Sequence, residues 1–207
     1  MKKILVLISG IILTCASSDA QSIVFEENFN GSASMPSSIE VVDYNNDNVT
    51  FVFSNNGGVN NSKCTSIGFA DPDNSDAIRF YETFYEAGET YTLTFSHKAA
   101  LSSYTEKFFC GFWDTDASAW GEVSAYLYTS NTSFQEVTLS YTPSSDHYGY
   151  VQIVNRSEDK LGWYVDDIQV TGPSTSDVSV VTSPASQISK NSAVSGGTIT
   201  NPNNEVI

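Results

Sequence analysis

Trp163-Tyr164-Val165-Asp166-Asp167-Ile168-Gln169-Val170 is an apolar stretch with β-strand composition that carries two adjacent carboxylates in its middle. It closes a domain that Phe25-Glu26-Glu27-Asn28-Phe29 opens. A carboxylate on a buried or half-buried strand is costly unless a cation or several hydrogen-bond donors satisfy it. A structural cation shared between the two ends is the simplest account. Ca²⁺ takes about six to eight oxygens from carboxylates, amides and carbonyls, and Glu27, Asn28, Asp166 and Asp167 supply several if the terminal strands lie side by side. The parity of the closing strand has two solutions. Trp163 and Val165 share one parity and Ile168 and Val170 the other, as a bulge at Asp166-Asp167 produces; without a bulge the face is Tyr164, Asp166, Ile168 and Val170. The alternative to a cation is an acidic edge strand that is solvated or capped by backbone amides.

Working outward, Gln21 to Gly172 reads as short strands separated by Asn, Asp, Ser and Gly clusters with almost no helical periodicity, an all-β pattern. The clearest strand is Tyr91 to His97, with Tyr91, Leu93 and Phe95 on one face and Gly88 at the turn before it. Further strands are expected at Ile23–Phe29, Ile39–Val42, Thr50–Phe53, Ala77–Tyr81, Lys107–Trp113, Glu122–Tyr128, Phe134–Tyr141, Tyr148–Asn155 and Gly162–Val170. About 150 residues of this kind remove roughly 70% of their chain surface from water on folding, so one two-sheet β-sandwich of jelly-roll type is expected over residues 21–172.

Residues 1–20 have the layout of an export signal: Lys2 and Lys3, an apolar run from Ile4 to Leu13, and small residues up to Ala20. The run is shorter than the roughly 20 residues a membrane helix needs, so it is expected to be removed and not inserted. Cys15 offers the lesser alternative of lipid attachment. Removing Lys2, Lys3 and Asp19 from the 9 basic and 24 acidic residues moves the net charge from −15 to −16. A nucleic-acid partner is thereby excluded, because binding needs a basic footprint. Solubility is the plain meaning of the acidity, and affinity for divalent cations the sharper one. Cys64 and Cys110 lie in apolar strand contexts and are expected to pack as free thiols, although export permits a disulfide between them.

Residues 173–177 read as a linker. From 178 to 207 the aromatics vanish and only Val178–Val181 and Ala193–Ile199 look strand-like, too little to bury a core alone.

The segments Phe25–Phe29, Asp43-Tyr44-Asn45-Asn46-Asp47-Asn48, Ala87-Gly88-Glu89-Thr90-Tyr91-Thr92-Leu93-Thr94-Phe95 and Tyr164–Ile168, in that order, resemble the galactose-binding-like jelly rolls of secreted bacterial adhesin, anchor and carbohydrate-binding modules. The resemblance implies a two-sheet jelly roll, a structural calcium between first and last strands, and a non-enzymatic role within a larger surface protein. It departs from the family at Met35-Pro36-Ser37-Ser38, where a Pro-x-Gly-Trp run is frequent. Residues Ile188 to Thr200 look like the truncated start of a fibronectin type III or immunoglobulin-like repeat.

The chain holds 12 Phe, 11 Tyr and 3 Trp. Flat aromatic rings beside amide and carboxylate groups make a platform for the apolar C–H faces of sugars. Trp113, Trp120, Tyr126 and Tyr128 cluster around Gly121, and Tyr126 and Tyr128 project opposite Val123, Ala125 and Leu127. The competing account places these rings in the core and in cross-strand pairs. Asp43-x-Asn45-x-Asp47 has the alternating oxygens of a calcium loop but lacks the Gly and the bidentate Glu, so an Asn-rich turn is the first explanation; the Asp71 to Asp76 loop is a weaker candidate still. Catalysis has little support: His97 and His147 have no zinc-ligand spacing, no Gly-x-Ser-x-Gly elbow or phosphate-binding loop occurs, and His97 follows an apolar strand face. A secreted or cell-surface module that binds glycan or mediates adhesion is the first expectation. A ligand-free spacer or anchor domain and an accessory fragment of a glycoside hydrolase are the alternatives.

Overall fold

Strict alternation along Tyr91–Ala99 puts Tyr91, Leu93, Phe95 and His97 inside, each 5% exposed or less, and leaves Thr92, Thr94, Ser96 and Lys98 on the other face. The same period of two shapes the rest of the chain. The computed structural model describes residues 21–68, 76–80, 82–157, 162–174, 179–186 and 194–200. The expected export segment with Cys15, residues 71–75 of the acidic loop and most of the linker lie outside the described residues.

Among the described residues thirteen strands build the sandwich: β1 (Gln21–Glu27), β2 (Ile39–Val42), β3 (Val52–Ser54), β4 (Cys64–Ile67), β5 (Ala77–Phe80), β6 (Thr83–Tyr85), β7 (Tyr91–Ala99), β8 (Glu106–Asp114), β9 (Ala119–Val123), β10 (Leu127–Thr129), β11 (Gln135–Tyr141), β12 (His147–Asn155) and β13 (Trp163–Pro173). One sheet runs β11-β7-β13-β4-β3, with β1 also on β13. The other runs β10-β8-β12-β5-β2, with β9 on β8 and β6 on β12. Every pairing is antiparallel, and the all-β two-sheet sandwich expected from the pattern is the fold observed. Beyond it, β14 (Ser179–Ser186) and β15 (Val194–Thr200) form a separate antiparallel hairpin.

Three expectations are corrected. Glu122 to Tyr128 is two strands: β9 pairs residues 111–114 of β8 and β10 pairs residues 106–108. Between them Ser124 exchanges hydrogen bonds with Cys110, donating its N–H to the Cys110 carbonyl at 2.8 Å and accepting from the Cys110 N–H on its hydroxyl at 3.1 Å. This local bond replaces the ladder and ejects Ala125 and Tyr126. Strands β4 and β6 were missing from the pattern: Cys64-Thr65-Ser66-Ile67 sets two polar residues side by side and Thr83-Phe84-Tyr85 two rings, so neither alternates. The opening strand ends at Glu27, since Phe29 has φ +59° and turns back into the core.

Between the sheets, Trp163 is fully buried, stacks on Phe108 at 4.3 Å and meets Phe51 edge-on at 5.7 Å. Its indole N–H donates to Asn155 Oδ1 at 2.8 Å, so the indole nitrogen is not stranded by the burial. Tyr85 forms a second centre with Tyr91, Phe112, Tyr141 and His147. A fully buried side chain of this size contributes about 1.5–3 kcal/mol relative to exposure, and with this core the sandwich holds without a covalent staple. Cys110 sits in the core, whereas Cys64 lies under the 55–62 loop; both are free, and burial pushes each thiol up to about 11.

Strands β1 and β13 are side by side, with Glu27 opposite Ile168. The bulge solution for the closing strand is the observed one: register shifts between Asp166 and Gln169, Asp167 takes φ +48°, and Trp163, Val165, Ile168 and Val170 all face inward.

Candidate functional site

The core-facing residues of β12 are odd-numbered, so Tyr148, Tyr150, Gln152 and Val154 stand on the outer face, continued by Arg156. In β8 the core takes Phe108, Cys110 and Phe112, leaving Lys107, Phe109, Gly111 and Trp113 outside. In β5 it takes Ile78 and Phe80, leaving Arg79 outside. Cross-strand register then aligns these residues in rows. Trp113 lies opposite Tyr150, Phe109 opposite Val154, and Gln152 sits between Gly111 and Arg79, which in turn faces Glu40 of β2.

Gly111 is the hinge of the arrangement. It contributes no side chain to its row, and the ring of Trp120 from β9 lies over it, so close that a Cβ at this position would come within 2.9 Å of two ring carbons. Trp120 therefore lies low against the sheet, edge-on to Trp113 at 5.3 Å and to Phe109 at 5.6 Å. Trp113 is nearly parallel to Tyr150 at 6.3 Å, and Tyr126 stands edge-on to Phe109 at 5.8 Å.

The result is a trough. One part, about 470 Å³, is lined by Tyr44, Arg79, Trp113, Tyr150, Gln152 and Arg156 together with Phe109, Trp120 and Val154. A second part of about 330 Å³ shares Phe109 and Trp120 and ends at Tyr126. Tyr44 reaches in from the loop after β2. Its hydroxyl accepts from Gln152 Nε2 at 3.0 Å and from Arg79 at 3.3 Å, and lies 3.3 Å from Gln152 Oε1, to which it can donate. Gln152 is 2% exposed, so its amide is held rigidly at the floor. Burial raises the Tyr150 hydroxyl above its usual value, with the Arg79 cation opposing the shift.

Of the four aromatic residues singled out from the sequence, Trp113, Trp120 and Tyr126 line this trough. Tyr128 lies on the same face, opposite Lys107, and is 62% exposed. Tyr44, Arg79, Phe109, Tyr150, Gln152 and Arg156 were not anticipated. Alternation through Tyr148-Gly149-Tyr150-Val151-Gln152-Ile153-Val154 carried the signal for two of them, Tyr150 and Gln152.

The acidic residues are distributed otherwise than the sequence suggested. Glu27 accepts from the Phe29 N–H at 2.6 Å and from the Ser38 hydroxyl at 3.4 Å, on the same side as core-facing Ile168. Asp166 points to the opposite face and is fully buried, accepting from Val59 N–H at 2.8 Å, Ser62 hydroxyl at 2.9 Å and Asp167 N–H at 2.8 Å. Burial raises its pKa, and those three hydrogen bonds hold it down in part. Donors, as in the amide-capped alternative, thus satisfy both carboxylates, and the four expected calcium ligands do not converge. Asn28 and Asp167 do flank a shallow groove of about 170 Å³ with Glu26. Three carboxylates meet elsewhere: oxygens of Asp43, Asp47 and buried Asp76 lie within 4.8 Å of one another. Asp43 also accepts from the N–H groups of Asp47 and Asn48, as an Asn-rich turn requires.

No family model matches the chain, and no curated protein is similar to it in sequence. Solved structures share its fold. The K3 cleaved adhesin domain of Lys-gingipain from Porphyromonas gingivalis superposes with a TM-score of 0.59 at 19% identity, over 73% of this chain and 99% of that one. The CBM22-1 xylan-binding domain of Xyn10C from Paenibacillus barcinonensis gives 0.58 at 9% identity, over 77% and 100%. A family 22 carbohydrate-binding module of Clostridium thermocellum gives 0.55 at 12% identity, over 75% and 96%. The galactose-binding-like jelly roll inferred from the sequence is the architecture these domains have; they do not show the fibronectin-like character expected of residues 178–207.

Proposed function

We propose that this chain is an exported, non-catalytic module that binds carbohydrate through the trough on the outer face of the β10-β8-β12-β5-β2 sheet. The observation that carries the reading is Trp120 lying over Gly111 between Trp113 and Phe109, with a fixed amide and two guanidinium groups beside it. Rings give the apolar faces of sugars a surface, and Gln152, Tyr44 and the arginines give hydroxyls their partners. No carboxylate is among the described residues that line the trough, whereas glycoside hydrolysis works through a pair of acids. The xylan-binding and adhesin domains with the same fold indicate which partners to try first.

A structural calcium belongs to the reading. Support for it comes from the Asp43, Asp47 and Asp76 oxygens, the hard donor type that calcium takes, at the base of the loop that delivers Tyr44.

A glycan array probed with the purified chain and with Trp113→Ala and Trp120→Ala tests the proposal. Binding of at least one polysaccharide is expected, weakened roughly three- to tenfold per ring, the equivalent of about 0.5–1.5 kcal/mol. Absence of any binding, or binding indifferent to both changes, would leave the ligand-free spacer as the better account.

A further inference from the structure

The chain carries a net charge of −15, yet both of its arginines line the trough. Five described residues are cationic: Lys63, Arg79, Lys98, Lys107 and Arg156. Three of them stand on this one face, each over a ring: Arg79 over Tyr150 at 4.4 Å, Lys107 over Tyr126 at 4.4 Å and Arg156 over Phe109 at 5.9 Å. In so acidic a molecule, cations are expected to be spread among the carboxylates that would neutralise them. Arg79 has such a partner in Glu40 at 3.4 Å, and that carboxylate is 59% exposed, where water screens the pair. Arg156 makes no side-chain hydrogen bond or ion pair with any described residue; its Nε is buried without an acceptor. Keeping a guanidinium half-buried and unneutralised against an aromatic floor is unfavourable, because its Nε–H has lost water and gained no acceptor.

We infer that the trough is built for an anionic glycan, with Arg156 the anchor for a sugar carboxylate or sulfate while the ring of that sugar rests on Phe109 and Trp120. The inference rests on the carbohydrate reading above and narrows it. A planar guanidinium offers two parallel N–H donors that match the oxygens of either anion, and its stacking on Phe109 holds the fork in place. Arg79, tied to Tyr44 and through it to Gln152, adds positive potential further along the same trough and fixes the spacing between charged and neutral subsites.

Isothermal titration of the purified chain with a short galacturonate oligomer, with the same oligomer after carboxyl reduction, and with a sulfated oligosaccharide of similar length separates the possibilities. Short ligands are chosen because a long polyanion is repelled by the rest of this acidic surface. The expected result is binding of the uronate or the sulfated oligomer, which tells the two sources of charge apart, with loss of at least tenfold on carboxyl reduction or desulfation. Arg156→Gln should weaken the anionic ligand by tenfold or more, the range for a charged hydrogen bond, and Arg156→Lys should recover only part of it. The reduction arm uses the unaltered protein, so a misfolded variant does not spoil the test. Equal binding of charged and neutral oligomers overturns the anionic assignment and leaves the carbohydrate reading standing. No binding of any of these, together with an empty glycan array, overturns both.

Discussion

Gly111→Ala puts one methyl group under Trp120. Its Cβ would lie 2.9 Å from Cε3 and Cζ3 of the ring and 2.5 Å from the carbonyl oxygen of Glu122. Carbon atoms in contact prefer about 3.5–4.0 Å, so the ring must retreat by about 0.6 Å or more. A tilting ring relieves only half of the conflict, since the Glu122 oxygen is backbone and β9 itself has to lift from β8. Overpacking of this kind costs about 1–3 kcal/mol, and the displaced indole should reduce glycan affinity roughly three- to tenfold through lost ring contact. Urea unfolding followed by tryptophan fluorescence reads the first quantity, and titration with the best ligand from the array reads the second. The double variant with Trp120→Ala should regain part of the stability, a coupling of about 0.5–3 kcal/mol for residues in contact. If Gly111→Ala unfolds within about 0.5 kcal/mol of the parent and binds as tightly, Trp120 does not depend on the glycine and the description of the floor is wrong.

Asp166→Ala strands the Val59, Ser62 and Asp167 donors and should cost about 3–5 kcal/mol in urea unfolding; a loss under 1 kcal/mol would refute the donor account of this carboxylate. Chelation should lower the melting temperature of the parent and of Asp166→Ala alike, while Asp76→Asn abolishes the response to added Ca²⁺, because an ion that binds only the folded state raises stability by mass action. A chelator effect that survives Asp76→Asn would move the ion elsewhere. His97 is buried among Phe95, Phe108 and Trp163, and burial lowers its pKa from 6.5 to about 4. The unfolded chain therefore takes up this proton first, so the His97 contribution is intact above pH 6.5 and lost as the pH falls towards 4, about 2 kcal/mol between pH 7 and pH 4.5. Asp166 titrates with the opposite sign, its raised pKa making acid slightly favourable. His97→Phe should flatten the acid slope measured by urea unfolding at the two pH values; an unchanged slope would show that His97 is solvated.

How much of this was legible beforehand depends on the distance over which each signal acts. Alternation is local, so Tyr91, Leu93 and Phe95 could be set on the inner face, and the parity break in Trp163–Val170 carried the bulge that Asp167 realises. Trp113, Trp120 and Tyr126 share one hairpin region and were found together. Tyr44 and Gln152 are 108 positions apart and meet through a hydrogen bond that exists only because β12 lies between β8 and β5 in an order the chain does not follow. The proposed convergence of Glu27 with Asp166 failed for a related reason. Strand adjacency was right, but the bulge and the pleat send the two carboxylates to opposite faces, and the 55–62 loop brings its own donors to Asp166.

Composition and period-two patterning, which act within a few residues, determined by themselves that the chain forms an all-β sandwich and that the molecule is strongly acidic. Tertiary structure alone decided that both arginines of so acidic a chain stand in one aromatic trough, that a glycine clears the space beneath Trp120, and that Asp43 and Asp47 meet Asp76. Those outcomes depend on sheet order and register, which arise from the packing of two sheets against each other and leave no trace in any short stretch of sequence.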